Sequence, residues 1–257
     1  MRRISLALTG IVFLAISIIL IGLVTYAPLP VLAASLENPE IQFAILLSLV
    51  TSAISTLICI AVAIPVAYAL SRYRFSGKRI VELALTTPLT LPPLVAGIAL
   101  LLFFGTTPWG KALEQAGFIV IFTPVGIIVA EVFVNLPYMI RILRSAFSTI
   151  NPRYEYVAKT LGCTDTGAFL QVTLPMARQG LLAGTVITWS KAMGEFGAVL
   201  MVAGATTMRT ETLPIALYLN ISTGDVDLAV SAATILILIS LIAVCGAEYL
   251  SRDVNVF

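Results

Sequence analysis

Long, unbroken apolar runs constrain this chain more than any other feature. Six stretches, 4–26, 43–70, 81–104, 119–140, 181–203 and 228–249, are each long enough to cross a bilayer as a helix, which takes about 20 residues. Within them apolar residues follow one another instead of alternating, which excludes a membrane β-barrel. Helices remain as the way to pair every backbone polar group in lipid. Only 11% of the 257 residues are charged, against about 25% in soluble domains, and mean hydropathy is +1.04. The expected fold is all-α: a polytopic membrane protein of six transmembrane helices, one domain over residues 1–257.

Lys and Arg placement sets the orientation of such a chain. With the N-terminus in the cytoplasm, Arg2, Arg3, Arg72, Arg74, Lys78, Arg79, Arg141, Arg144, Arg153, Lys159, Arg178 and Arg252 fall inside, and Lys111 and Arg209 outside. Both termini are therefore expected to be cytoplasmic. The first apolar run exceeds the 7–15 residues of a secretory signal core, so it reads as an uncleaved span. Outer segments carry Glu37, Glu40, Glu114, Glu211, Asp225 and Asp227, either as solvated charge or as a rim meeting an external partner.

Several function classes drop out. Histidine is absent, and Cys59, Cys163 and Cys245 have neither metal nor redox spacing. Asp165, Asp225, Asp227 and Asp253 all fall outside the spans, so no intramembrane aspartyl dyad forms. No Gly-rich Lys-Ser/Thr loop offers to cradle phosphates, and no basic, aromatic-interleaved patch points to nucleic acid. The chain is expected to bind no metal or cofactor and to catalyse nothing itself.

The inner segment 152–175 has a pattern of its own. Pro152 suits a helix start. Tyr154, Val157, Ala158 and Leu161 then repeat with helical spacing. Gly162 is the residue type that closes helices in the left-handed conformation. Thr164 and Asp165 suit the start of a second helix, with Ala168, Phe169 and Val172 on its apolar face and Pro175 at its end. Spacing alone leaves two readings open: a hairpin that docks another protein, or one that packs on its own bundle.

Here the sequence resembles the membrane subunits of binding-protein-dependent ABC importers. Their cytoplasmic motif is Glu-Ala-Ala, three residues, Gly, nine residues, then Ile-x-Leu-Pro. Aligned on Gly162, the ending is Val172-Thr173-Leu174-Pro175, Ala158 fits the second alanine, and Val157 replaces the first. Tyr156 stands at the motif's glutamate, with Glu155 one residue earlier. The resemblance implies a type I importer bundle whose loop docks a separate ATPase. The docking helix is expected at 164–171, and the coupling residues are Glu155, Ala158, Gly162, Thr164, Asp165, Ala168, Phe169, Val172, Leu174 and Pro175. It implies two ATP-binding cassette subunits holding ATP and Mg, and an external substrate-binding protein.

Three further segments, 88–97, 194–204 and 210–218, look like those of molybdate and tungstate permeases. This implies import of tetrahedral oxyanions by a homodimer. Sulfate and thiosulfate permeases share part of the pattern and are the alternative; a secondary anion transporter is the rival from another class. Candidates for the pathway or gate are Thr90, Pro92, Pro93, Lys191, Gly194 and Glu195. Lys191 and Glu195 are four apart and can meet on one helix face, as a self-neutralising pair or as part of the path. Pro88, Pro92 and Pro93 break the helical ladder, as a packing kink or a gate hinge. Glu131 has no evident partner in its own span.

Overall fold

Two long helices form the spine, and their starts are written in short capping signals. The side chain of Asn38 accepts from the Glu40 N–H, and Pro39 follows at a position needing no donor, opening α3 (Pro39–Arg72). The Thr123 hydroxyl likewise accepts from the Gly126 N–H, and Pro124 opens α7 (Pro124–Thr149). Pro65 and Pro137 lie inside these helices without ending them. Both helices outrun the apolar stretches, because winding stops at a cap and not where hydropathy falls. The fourth span thus begins at Pro124, leaves 119–123 as a loop, and continues past Arg141 and Arg144.

The structure, a computed structural model, describes residues 2–26 and 29–252; the termini at Met1 and Phe257, expected in the cytoplasm, and Asp253 lie outside them. Four helices are long and apolar enough to cross a membrane singly: α1 (Arg2–Tyr26), α3, α7 and α14 (Val226–Arg252). The third and fifth spans are broken. α4 (Lys78–Thr86) runs through a 3-10 turn at Thr87–Leu89 and meets α5 (Pro93–Thr106) at 110°. α11 (Arg178–Met193) meets α12 (Gly197–Ala203) at 57°. Counting each bent pair as one span restores the six expected. The third is an elbow, not a kink: Pro92 is extended and consecutive prolines 92 and 93 supply no donors. At 1.5 Å per residue, α5 is about 21 Å long and short of a bilayer core by itself.

Packing follows small residues. Cys59, Ala63 and Ala67 recur every four residues on α3 and let Met139, Leu143 and Phe147 of α7 close against it. In lipid, such close packing replaces the hydrophobic drive between helices. Between the fifth and sixth spans the expected outer loop holds α13 (Leu213–Thr223), whose Leu213, Ile215 and Ala216 are fully buried. α2 (Leu29–Glu37) is tied to α14 by a Ser35–Ser231 hydrogen bond of 2.9 Å, and α6 (Pro108–Gln115) follows α5. α1 is the outlier: it touches α14, yet none of its apolar window is buried.

Candidate functional site

The hairpin forms where the spacing places it, and of the two open readings the apolar repeat of its first helix takes the outward one at Tyr154, Val157 and Leu161, with Ala158 turned in. α8 (Arg153–Thr160) ends at Gly162, whose φ of +97° is one that L side chains rarely adopt. The Gly162 N–H donates to Lys159 O and the Cys163 N–H to Ala158 O, closing the helix end. Thr164 then accepts from the Gly167 N–H and starts α9 (Asp165–Ala168). A Lys159–Asp165 ion pair bridges the turn. Winding continues through a π turn (Phe169–Thr173) into α10 (Leu174–Met176). Pro175 therefore does not end the second helix; the π turn widens the coil just before it, so its missing donor breaks nothing and the break falls at Ala177.

Glu155 faces inward. Its Oε1 accepts from Arg72 Nε at 2.8 Å and Thr173 Oγ1 at 2.6 Å, and its Oε2 from the Tyr68 hydroxyl at 2.8 Å. Arg72 also donates to Ile150 O. One carboxylate thereby joins the end of α3, the first turn of α8 and the π turn. Burial by itself raises the Glu155 carboxyl, but the bonds from Thr173, Tyr68 and Arg72, with the charge of Arg72, outweigh it and hold it below the usual carboxylate range. Phe169 closes the clamp, its ring 4.6 Å from that of Tyr68 and 6.0 Å from that of Phe147.

With Glu155, Ala158, Ala168 and Thr173 turned in, the large apolar side chains point out. Tyr154, Tyr156, Val157 and Leu170 are more than half exposed and Leu161 is 82% exposed. Tyr154, Val157 and Leu161 thus do not pack on the bundle. Of the other expected coupling residues, Phe169, Val172 and Leu174 are half-buried; Gly162, Thr164, Asp165 and Pro175 are exposed. Tyr156, Leu161 and Leu170 were not among the expected contacts, though bulky apolar residues flanking a glycine turn were the available signal.

The pathway candidates separate into two groups. The breaks of the third and fifth spans meet: a Cβ at Gly197 would lie 2.9 Å from Pro93 Cβ. One at Gly97 would lie 2.7 Å from Met201 Cβ and 2.9 Å from Ala198 Cα. α5 and α12 are therefore in backbone contact beside Pro92 and Pro93. Thr90 is exposed and donates to Thr87 O, and Gly194 is exposed. Lys191 and Glu195 do not form the expected pair; among the described residues neither takes part in an ion pair. Lys191 Nζ sits 4.2 Å from the Tyr138 ring centroid, a cation–π contact. Glu195 Oε1 instead accepts from the Ala198 N–H at 3.1 Å, in the first turn of α12. The break between α11 and α12 falls between the two residues, and each takes a nearer partner.

A family described as "Binding-protein-dependent transport system inner membrane component" matches residues 59–256. The molybdenum transport system permease protein ModB of Mycobacterium tuberculosis is 37% identical over 241 residues, 93% of this chain and 90% of that one. The sulfate transport system permease protein CysW of Synechocystis is 32% identical over 219 residues, 85% of this chain and 79% of that one. The crystal structure of a bacterial importer of the acidic polysaccharide alginate has a chain of like fold, with a TM-score of 0.77 at 18% identity, covering 99% of this chain and 97% of that chain.

Proposed function

This chain belongs to the family of binding-protein-dependent transport system inner membrane components, and we propose that it carries molybdate or tungstate as a homodimer. It is the permease subunit of an ABC importer, a multi-pass protein of the plasma membrane, and ATP hydrolysis falls to a partner ATPase. Two such ATPase subunits, holding ATP and Mg, dock on the hairpins of the dimer from the cytoplasm, where both termini also lie. An external binding protein delivers the anion to the opposite face.

One observation carries the coupling role: a hairpin clamped from inside by Glu155 while Tyr156, Val157, Leu161 and Leu170 stand exposed. An exposed apolar group on a fixed base transmits a push, whereas a loose loop would absorb it. Closure of the ATPase dimer moves the hairpin. Arg72 and Tyr68 pass that motion to α3, and the contact of α5 with α12 makes the two broken spans move together as the gate. Lys191 is the cation available to a passing anion. The oxyanion class is supported by relatives named for molybdenum and for sulfate transport; the higher identity of the former favours molybdate.

Uptake by the complex reconstituted with its ATPase and binding protein tests this. Saturable, ATP-dependent uptake of molybdate and tungstate, with sulfate transported far more slowly, is expected. Equal or faster sulfate uptake would establish the sulfate reading instead, and uptake that persists without the ATPase would remove the importer mechanism.

A further inference from the structure

Glu131 lies eight residues into α7, 1% exposed, in the seam where α7 meets α3. Its Oε1 accepts from the Thr51 hydroxyl at 3.1 Å, while the nearby Ser55 hydroxyl donates to Ser52 O of its own helix. Among the described residues no ion pair involves it. Its second oxygen has no hydrogen-bond partner. One helical turn further along the same face stands Asn135, also 1% exposed, with neither polar atom of its amide partnered. Orphaned polar atoms at this depth are costly, and an uncompensated carboxylate there is costlier still.

One arrangement satisfies most of these atoms without adding anything larger than a hydrogen. We infer that Glu131 is a proton-binding site: a neutral carboxylic acid whose carbonyl oxygen accepts from Thr51 and whose hydroxyl donates to the amide oxygen of Asn135. The donor count fits. The Thr51 hydroxyl from α3 serves one oxygen, and the other, unpartnered, faces an amide that is unpartnered too. Four residues along a helix is the spacing at which two such side chains meet. The seam is then uncharged and joins α3 to α7 by hydrogen bonds in the layer where water supplies none.

The groups around it favour that state. From α3 the neighbour is Cys59, whose thiol contributes no positive charge. From α7 it is Tyr138, already occupied by Lys191. From the fifth span come Lys191 and Glu195, of which the carboxyl of Glu195 acts on Glu131. α5 carries no titratable side chain. The one nearby cation is held over an aromatic ring, and the one nearby anion disfavours a second negative charge.

Infrared difference spectroscopy of the purified transporter tests the site. A protonated-carboxyl band is expected at neutral pH. It should vanish in Glu131→Gln and move to higher frequency in Asn135→Leu, where the hydroxyl loses its acceptor. Thermal unfolding gives a second readout. Glu131→Gln, which mimics the neutral acid, should melt close to wild type, and Glu131→Leu several degrees lower. Melting should be the same in sodium and choline chloride. A wild-type spectrum lacking the band, or sodium raising the melting point of wild type but not of Glu131→Gln, would overturn the proposal, the second in favour of a bound metal cation. None of these readouts depends on which anion is carried, so they stand or fall apart from the transport assignment.

Discussion

Glu155→Gln separates the clamp from everything else the hairpin does. The substitution keeps the shape and leaves one acceptor oxygen, for Thr173 or for Tyr68 but not both, and it removes the charge opposite Arg72. The two side chains are 9% and 7% exposed, and breaking a buried pair from one side costs about 3–5 kcal/mol. The retained acceptor, and water at the edge of the bundle, reduce this to about 2 kcal/mol. That corresponds to about a 30-fold rise in the open population of the hairpin. Hydrogen exchange of amides 153–173, measured on the reconstituted complex, should report faster exchange there and little change in α7. ATP consumed per anion imported should rise in parallel. The Glu155 carboxyl is held below its ordinary value, so its contribution is complete above the unfolded carboxylate range. It is lost as pH falls through the depressed folded value. Wild type and Glu155→Gln should therefore converge in acid. Equal exchange at neutral pH, or a difference that survives undiminished in acid, would refute the clamp.

Five other substitutions test the hairpin, the α5–α12 contact and the outer segment. Gly162→Val has open space around it but must hold φ near +97°, at about 1–2 kcal/mol; uptake should fall relative to ATP hydrolysis while the membrane bundle melts normally. Leu161→Asp should leave folding intact and abolish co-purification of the ATPase, whereas Phe169→Asp, inserted between Tyr68 and Phe147, should lower the melting temperature as well. Gly97→Ala places a methyl within 2.9 Å of the α12 backbone and should cost about 1–3 kcal/mol together with most of the transport. Burial raises the Glu211 carboxyl, the Met208 N–H opposes this, and Glu40 adds to the rise; an acid with a raised folded value loses stability as pH climbs past its unfolded one. Glu211→Gln should thus melt higher than wild type at neutral pH and the same in acid.

The hairpin was legible because its signals are local: Gly162, the Thr164 cap and the helical spacing all act within four residues. Which face turns inward was not. The inward side is decided by Arg72 and Tyr68, more than eighty positions away, and a periodic apolar pattern cannot distinguish a face that meets its own bundle from one that meets another protein. The prolines at 88, 92 and 93 announced a break in the third span but not its 110° angle, which is fixed by Pro93 seating against Gly197. α13 went unnoticed for a simpler reason: eleven residues are too few to register as a span. Lys191 and Glu195 have the spacing of a pair, but a helix break that hydropathy does not register falls between them, and each takes a nearer partner.

α1 has a consequence for how the molecule is made. None of the apolar window of α1 is buried within the protein, so its place in the bilayer does not wait on α3 or α7. Partition of its own side chains is enough to hold it there, and Arg2 and Arg3, just before the apolar run, favour the cytoplasm for that end. The broken spans and the buried Glu131, by contrast, need their neighbours in place before their polar groups are paired.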